Sequence, residues 1–321
     1  MTCPPTEAPK NPHHVRVVTG ARLHFGLFDT IAPFGGVGMM INQPPTEVIV
    51  RQANQFGCRG EGADRVAPIA GRVQHHLRLP DLPACEVEIV RRPNAHTGLG
   101  TGTQLAMAVA EALLRFCDGP TRDPSLIQRM ADRGKRSAVG VHGYLHGGLI
   151  FEAADETTQL LNPIQQRVSI PDQWRVAVFC PTTVDLPVSG SVEQRQFAQL
   201  SGADRETRHQ LEKIVDDQIV PAAQGSDFLK FAASVHQYNY HSGMLFADVQ
   251  NGPYNGPTVT RLVQMLQQRD AVGVGQSSWG PSVFAWFESQ PDAEHFVTTW
   301  PTEFASVLIA QPLNQGASCV D

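Results

Sequence analysis

A loop rich in glycine and threonine leads directly into an apolar helix at residues 96–113. The segment reads His-Thr-Gly-Leu-Gly-Thr-Gly-Thr-Gln-Leu-Ala-Met-Ala-Val-Ala-Glu-Ala-Leu. Glycine lets the backbone approach a phosphate closely, hydroxyl groups can donate or cap, and the free N–H groups of a first helical turn attract an anion. The segment therefore predicts an anion site. The residues predicted to bind the anion are Gly98, Gly100, Thr101, Gly102 and Thr103.

This loop differs from two common nucleotide-binding loops. It lacks the Gly-Lys-Ser/Thr ending of a P-loop, and its glycine spacing is not that of the dinucleotide fingerprint followed by an acidic residue. The alternative interpretation is a glycine-rich helix start that only makes a turn. Because one glycine-rich stretch is a weak signal, other segments must decide between the two.

The length, charge and cysteine spacing exclude several classes of protein. A chain of 321 residues with 41% hydrophobic residues can bury a full core and is long enough for two domains of ordinary size. Its net charge of −6 offers no general footprint for nucleic acid or an anionic membrane, so any anion site must be local. The six cysteines lack zinc-ligand spacing, and no apolar run approaches the roughly 20 residues of a membrane span. We expect a cytoplasmic protein with reduced thiols, no zinc, and no nucleic-acid or membrane partner.

Periodicity and turn residues predict a chain that mixes strands with helices. Predicted helices cover 64–79, 101–113, 125–133, 137–144, 205–220, 227–238 and 258–268. Predicted strands cover 15–19, 34–41, 48–52, 86–90, 149–152, 174–180, 280–288 and 306–313, and 273–281 is interpreted as a loop. The polar, proline-containing stretch 155–172 predicts a domain boundary. We therefore expect a disordered tail at 1–14, an amino-terminal domain at 15–160 and a carboxy-terminal domain at 161–321.

Four segments in order resemble the GHMP kinase superfamily, the small-molecule kinases of galactose, homoserine, mevalonate and phosphomevalonate. They are Gly-Ala-Arg-Leu-His-Phe-Gly-Leu-Phe-Asp at 20–29, Thr-Gly-Leu-Gly-Thr-Gly-Thr-Gln-Leu-Ala at 97–106, Arg-Ser-Ala-Val-Gly-Val-His-Gly-Tyr-Leu-His-Gly-Gly at 136–148 and Gly-Gln-Ser-Ser-Trp-Gly-Pro at 275–281. The second stands where the superfamily has its Gly-Leu-Gly-Ser-Ser-Ala phosphate loop. The resemblance implies an α+β, GHMP-kinase-like two-domain fold, with a ribosomal-protein-like amino-terminal domain and a ferredoxin-like carboxy-terminal α/β layer.

The third segment departs from the kinase pattern at Gly140. Kinases of the superfamily place a catalytic Asp three residues after the Ser and seven before the paired glycines, which is position 140 in this sequence. Such a carboxylate orients and deprotonates the acceptor hydroxyl, and glycine has no side chain for the task. The departure disfavours simple phosphoryl transfer.

One branch of the superfamily fits the whole pattern. Over segments 22–29, 35–38, 102–106, 134–140 and 277–281 the chain resembles the β-ribofuranosylaminobenzene 5′-phosphate synthase family, in which an Arg is expected where Pro33 stands. Members of that family join the ribose 5-phosphate of phosphoribosyl pyrophosphate to the ring of 4-aminobenzoate, with loss of carbon dioxide and pyrophosphate, in methanopterin biosynthesis. The resemblance implies a cytoplasmic pentosyltransferase, Mg²⁺ as cofactor and a homodimer. It leaves 4-aminobenzoate and 4-hydroxybenzoate open as acceptors.

The resemblance also implies roles for single residues. The loop at 98–103 is expected to bind pyrophosphate and Mg²⁺, with Thr101 and Asp29 as metal ligands. Asp29 could instead face the positive charge that develops on the ribose, and its structural alternative is a turn-capping carboxylate. Arg22 and His24 alternate on one strand face and could contact phosphate or the benzoate carboxylate, although His24 could equally be a hydrogen-bonded core histidine.

Two further segments are predicted to contact anions. Arg136 and Ser137, next to Lys135, form a local basic site at a helix start, and the alternative is a solvated basic turn. Ser277 and Ser278 lie between glycines, where backbone N–H groups can form an anion-binding nest.

Three functions are compatible with these residues. The leading one is a Mg²⁺-dependent phosphoribosyl transferase that acts on an aromatic acid. An ATP-dependent small-molecule kinase with its base elsewhere is the second, and a non-catalytic ligand-binding protein of the same fold is the third. Convergence of Asp29, Thr101, Ser137 and Ser278 on one cleft would support the site assignment.

Overall fold

A computed structural model describes residues 14–119, 123–155, 161–183 and 195–320. The strands are β1 His14–Leu27, β2 Gly36–Gln52, β3 Gly57–Arg59, β4 Cys85–Arg91, β5 Leu149–Glu152, β6 Ile164–Val168, β7 Arg175–Pro181, β8 Val272–Gln276, β9 Val283–Phe287, β10 Ala305–Ala310 and β11 Ser318–Val320. The helices, numbered within the described residues, are α1 Val66–Leu77, α2 Thr101–Phe116, α3 Pro124–Ala131, α4 Val139–His146, α5 Arg205–Ile214, α6 Val220–Gln224, α7 Phe228–Met244, α8 Ala247–Gln250, α9 Gly256–Gln267 and α10 Gln290–Thr298. Of the predicted tail, only His14 lies within the described residues, and it begins β1.

The strands form two sheets. The first has seven strands in the order β11-β1-β2-β4-β3, and β2 pairs along its other half with β5, which pairs with β6. The second has four antiparallel strands in the order β10-β7-β9-β8. Strands β6 and β11 join the first sheet although they follow residue 160 in the chain.

A central core draws its side chains from both sheets. Leu23 and Phe25 of β1 and Phe284 and Trp286 of β9 are among its fully buried residues, together with apolar residues of α5, α6 and α7. Strand β7 alternates between faces, since Val176 and Val178 lie in this core while Ala177 and Phe179 belong to a second core under α9 and α10. This explains its continuously apolar sequence, because both of its faces are buried.

The predicted helix starts agree with the capping geometry. Asp123 caps α3 by accepting the N–H of Ser125 at 2.9 Å, with Pro124 at the first helical position. Asp227 caps α7 by accepting the N–H of Lys230 at 3.1 Å. These short-range signals were sufficient to place both helices from the sequence.

The second half departs from the predictions in three places. Residues 273–276, interpreted as loop, belong to strand β8, which pairs with β9; Gly275 is required there because Phe284 and Asn239 fill the space above it. The single predicted helix at 205–220 is interrupted by a π-helical turn at Val215–Ile219. Helix α10, which begins at a Ser289 cap, was not predicted.

Candidate active site

Three of the four motif segments are joined by hydrogen bonds to the backbone. Arg22 N–H donates to Leu99 O at 2.9 Å, which ties β1 to the glycine loop. The buried hydroxyl of Ser277 accepts His24 N–H at 3.1 Å and donates to Gly98 O at 2.8 Å. Ser278 N–H donates to His24 O at 3.1 Å. The first, second and fourth segments therefore meet at the end of β1.

The glycine loop packs too closely against the fourth segment for side chains. A Cβ on Gly98 would lie 2.2 Å from Ser277 O and 3.0 Å from Gly280 O, and Gly98 has a φ of +81°. Gly100 precedes α2 in the left-handed region at φ +69°. At the start of α2, the N–H groups of Thr103 and Gln104 donate to Gly100 O at 3.0 Å and 3.1 Å, which leaves the N–H groups of Thr101 and Gly102 suited to an anion.

The third segment contacts the same region through α4. Gln104 Nε2 donates to Gly140 O at 2.9 Å. A Cβ on Gly140 would lie 3.3 Å from Thr103 Cγ2 and 3.6 Å from Arg22 Nε. A Cβ on Gly100 would lie 3.0 Å from Arg22 Cβ, so the arginine side chain passes between the two glycines.

A cavity of about 520 Å³ lies where these segments meet. Four basic side chains line it: Arg22, Arg133, Lys135 and Arg136. A cluster of aromatic side chains also lines it, with Phe197 and Trp279 at 5.5 Å between ring centroids and Phe246 and Trp279 at 5.0 Å. The guanidinium of Arg136 lies 4.9 Å from the centre of the Phe197 ring, which joins the basic and aromatic surfaces. One cavity thus offers contacts for an anion and for a flat ring.

The predicted site residues fall into two groups. Arg22, His24, Thr103, Arg136, Ser137 and Ser278 line the cavity, as does Lys135. Gly98, Gly100, Thr101, Gly102, Ser277 and Asp29 are not among its lining residues. Of these, the loop residues lie beside the cavity and Ser277 fastens the loop to β1.

The expected convergence of four residues therefore needs a correction at Asp29 and Thr101. Asp29 is buried, and its Oδ1 accepts the N–H groups of Ile31 at 3.0 Å and Ala203 at 2.9 Å. This is the turn-capping arrangement, because the chain turns away from the cavity after β1. Thr101 is buried at the start of α2. Ser137 and Ser278 do line the cavity.

The described residues do not form a cluster of potential metal ligands. Among them, no group of three or more His, Cys, Asp or Glu side chains is placed to share a metal ion. Asp29 and Thr101, the predicted metal ligands, lie outside the cavity lining. The one carboxylate in that lining, Asp132, forms an ion pair with Lys135 at 2.9 Å.

A buried carboxylate lies behind the cavity wall. Glu152, fully buried at the end of β5, accepts the hydroxyl of Ser137 at 3.0 Å and the N–H groups of Ala138 at 2.7 Å and Val139 at 3.1 Å on Oε2. Its Oε1 accepts Asn162 Nδ2 at 2.8 Å. Burial raises the pKa of Glu152 to about 7, against the lowering effect of these donors.

The same hydroxyl reaches the cavity. His24 Nε2 lies 3.1 Å from Ser137 Oγ. Burial, and then the neighbouring Arg22 guanidinium, holds the pKa of His24 well below its usual value, so its imidazole is neutral near pH 7. His24 is therefore buried and hydrogen-bonded, as its structural interpretation predicts, and it also lines the cavity, while its contact to a substrate stays a prediction.

The sequence did not reveal Glu152 or two members of the aromatic wall, which consists of Phe197, Phe246 and Trp279. Glu152 ends the apolar strand sequence Leu-Ile-Phe-Glu, and a carboxylate at the end of a buried strand is a signal that could have been used. Phe197 and Phe246 lie far from the motif segments in sequence, and no local pattern marks them.

Comparisons with known proteins agree with this arrangement. A family model described as GHMP kinases C terminal matches residues 220–306. A homoserine kinase from Cytophaga hutchinsonii aligns with a TM-score of 0.65 at 14% identity, over 99% of this chain and 100% of the kinase chain. A phosphomevalonate kinase from Streptococcus pneumoniae aligns with a TM-score of 0.68 at 14% identity, over 94% and 100%.

The chain has the fold of the GHMP kinases, and its residues 220–306 match the carboxy-terminal model of that family. The predicted α+β, GHMP-kinase-like fold is confirmed, with its helices arranged around two sheets. Within the described residues, no helix is both long and apolar enough to cross a membrane.

Curated relatives point to one branch of this superfamily. The chain is 24% identical to β-ribofuranosylphenol 5′-phosphate synthase of Methanothermobacter thermautotrophicus, over 85% of this chain and 88% of the relative. It is 24% identical to the protein of the same name from Archaeoglobus fulgidus, over 84% and 87%. The resemblance to a synthase family that the motif segments indicated is confirmed, and these relatives are named for a phenol product where the sequence analysis named an aminobenzene.

Proposed function

We propose that this GHMP-fold protein transfers the 5-phosphoribosyl group of phosphoribosyl pyrophosphate to a 4-substituted benzoate, with release of pyrophosphate and carbon dioxide. The observation that carries the proposal is the cavity in which Arg22 and Arg136 lie with an aromatic cluster of Phe197, Phe246 and Trp279. Phosphoribosyl pyrophosphate needs cationic contacts and a benzoate ring needs a flat apolar surface. The relatives' name supports a product in which a ribose 5-phosphate is joined to a phenol.

The cavity residues suit the departure of pyrophosphate from the anomeric carbon. Negative charge grows on the leaving group as its C–O bond breaks, and fixed cations with helix N–H groups stabilise such charge. Arg22, Arg136 and Ser278 line the cavity beside the glycine loop that leads into α2, and we expect them to contact the phosphate groups. The ring then attacks the anomeric carbon, and its carboxylate leaves as carbon dioxide.

Mg²⁺ enters this proposal with the pyrophosphate. Mg²⁺ is commonly held by substrate phosphates and water with only one or two protein ligands. Since the predicted ligands Asp29 and Thr101 lie outside the cavity lining, no step is assigned to the metal here. A homodimer and a cytoplasmic location also stay predictions, and light scattering of the purified protein tests the first.

The test is a set of parallel reactions. Purified protein receives phosphoribosyl pyrophosphate and Mg²⁺ with 4-hydroxybenzoate or 4-aminobenzoate, and an ATP-only reaction runs alongside. Release of both pyrophosphate and carbon dioxide is the expected result. Phosphate transfer from ATP without either release would instead favour the kinase, and saturable binding without turnover would favour the ligand-binding protein.

A substitution of Arg22 tests the anion contact. Arg22→Gln is expected to lower kcat/KM for phosphoribosyl pyrophosphate by at least about tenfold, because a charge-assisted contact to phosphate is lost. Arg16→Gln is the matched control, since Arg16 lies on the same strand but pairs with Glu47 at 2.7 Å, away from the cavity. Equal kinetics for the two variants would remove Arg22 from the site.

A further inference from the structure

We propose that Glu152, Ser137 and His24 form a proton relay that takes up the hydroxyl proton of a phenolic acceptor. The inference rests on the proposed transferase function and goes further by assigning the groups that activate a phenolic acceptor. His24 would be the catalytic residue, since it contacts the acceptor, while Ser137 and Glu152 act through it as positioning residues.

The hydrogen bonds give the relay a direction. Ser137 Oγ donates to Glu152 Oε2 at 3.0 Å, so its lone pairs are left to accept. His24 Nε2 lies 3.1 Å from that oxygen and therefore carries the proton that it donates. The neutral imidazole then has an unprotonated Nδ1, and this nitrogen is left to accept a proton from a ligand in the cavity that His24 lines.

The surroundings shift the pKa values of His24 and Glu152, the two ends of the relay, in opposite directions. The ionisable groups around it are Arg22 on the strand of His24, Tyr238 on α7, whose pKa is affected by Glu152, and His142 on α4, which contacts Asn162 O at 2.7 Å. Burial lowers the pKa of His24 and raises that of Glu152 to about 7. A proton accepted at His24 near neutral pH can therefore be passed on to the carboxylate.

The relay matches the chemistry of a phenol. The acceptor O–H bond breaks and its proton goes to His24 Nδ1, the Nε2 proton goes to Ser137 Oγ, and the serine proton goes to Glu152 Oε2. The electron pair of the O–H bond enters the ring, whose para carbon bonds to the anomeric carbon as pyrophosphate leaves with its C–O electrons. Loss of carbon dioxide returns the ring electrons to the oxygen, which regains its proton as the relay runs backwards.

An aminobenzoate needs no such deprotonation. Its neutral nitrogen already has a lone pair to donate into the ring, and the carboxylate leaves without any proton having been removed. A comparison of the two acceptors therefore isolates the effect of the relay, because both acceptors share the remaining contacts, including binding of the donor and stacking of the ring.

The experiment compares both acceptors in relay variants. Ser137→Ala is expected to lower kcat with 4-hydroxybenzoate by about a hundredfold or more, the usual scale of general-base catalysis, and kcat with 4-aminobenzoate by less than about fivefold. KM for phosphoribosyl pyrophosphate should stay unchanged, and Ser137→Thr should restore most of the activity. Ser234→Ala is the matched control, because Ser234 is a buried serine whose hydroxyl donates to Lys230 O at 2.7 Å, outside the cavity lining. Equal losses with both acceptors would overturn the relay.

A second measurement tests the relay even if the protein shows no enzymatic activity. If the unmodified protein makes no product from either acid, the proposed function fails, and nitrogen-15 NMR of His24 still tests the relay. The expected spectrum shows neutral imidazole protonated on Nε2, with a shift that changes near pH 7 as Glu152 titrates and stays constant in Glu152→Gln. A proton on Nδ1, or no such change, would overturn the inference whatever the activity.

Discussion

At the scale of single residues, the carboxylate of Glu152 links the stability of the fold to pH. It is fully buried, and its four hydrogen bonds come from a hydroxyl, two backbone N–H groups and an amide. Its pKa in the folded protein, about 7, lies above the ordinary value of 4.5. Between these values the folded chain binds a proton that the unfolded chain releases, so folding becomes less favourable as pH rises.

The expected outcome is a slope in the free energy of unfolding. The contribution of Glu152 is fully present below about pH 4.5 and is lost as pH rises through about 7, which amounts to about 3 kcal/mol. Urea unfolding from pH 4.5 to 8 measures it. Glu152→Gln should flatten this part of the profile, while Glu111→Gln, which alters another buried carboxylate, should leave it in place. An unchanged slope in Glu152→Gln would contradict the assignment.

At the scale of elements, the glycine loop and the 277–280 turn act as one packed unit. Ser277 joins the loop to β1, and Gly98 allows the two backbones to touch. The start of α2 is positioned by these contacts as well as by its own sequence. The local fold around the predicted anion site therefore depends on Gly98.

Substitution of Gly98 by alanine should be costly. Its Cβ would lie 2.2 Å from Ser277 O and its φ is +81°, so Gly98→Ala is expected to destabilise the protein by about 2 kcal/mol or more. Gly71→Ala is the matched control, because Gly71 lies within α1 with no atom within 4 Å of a new Cβ, and it should stabilise by about 0.5–1 kcal/mol. Thermal unfolding of both variants measures the difference, and similar melting temperatures would refute it.

The sequence predicts those elements whose signals are local. The Asp123 cap, the apolar run of β7 and the loop before α2 could each be recognised from a few neighbouring residues. Strand β8 could not, because the need for Gly275 arises only from Phe284 and Asn239, which approach from other elements. The aromatic wall is likewise a product of tertiary packing, since Phe197 and Trp279 lie far apart in the chain.

The candidate site shows the same contrast between local sequence signals and tertiary contacts. Residues inside motif segments, such as Arg22, Ser137 and Ser278, do line the cavity. Asp29 belongs to a motif segment too, but the turn after β1 directs its carboxylate to Ala203, 174 residues away in the chain. A motif identifies the segment, and the tertiary contacts decide which side chains face the ligand.

At the scale of the whole molecule, the central core joins the two sheets. Phe25 of the first sheet and Phe284 of the second lie 5.3 Å apart between ring centroids, and Trp286 lies 5.0 Å from Phe231 of α7. The cavity is lined by residues of both halves of the chain, Arg22 and Trp279 among them. Its shape therefore depends on this core.

Loss of one ring from the core should weaken the whole protein. Phe284→Ala is expected to cost about 3–5 kcal/mol and to lower a single calorimetric transition, because both halves share the cavity that it creates. Leu229→Ala is the matched control, since Leu229 is 70% exposed on α7 and should change stability by less than about 0.5 kcal/mol. Two separate transitions in the variant would show that the sheets unfold independently.

The course of the Arg22 side chain between Gly100 and Gly140 reverses the sign of the electric field where the superfamily's kinases carry a carboxylate. A negative group there serves to deprotonate a hydroxyl, whereas a guanidinium repels cations and attracts the oxygens of a leaving group. An aspartate introduced at position 140 would lie against Arg22, and the two charges would neutralise each other. A carboxylate at position 140 could therefore act as a base only if Arg22 were replaced as well, which requires coordinated substitutions on α4 and β1.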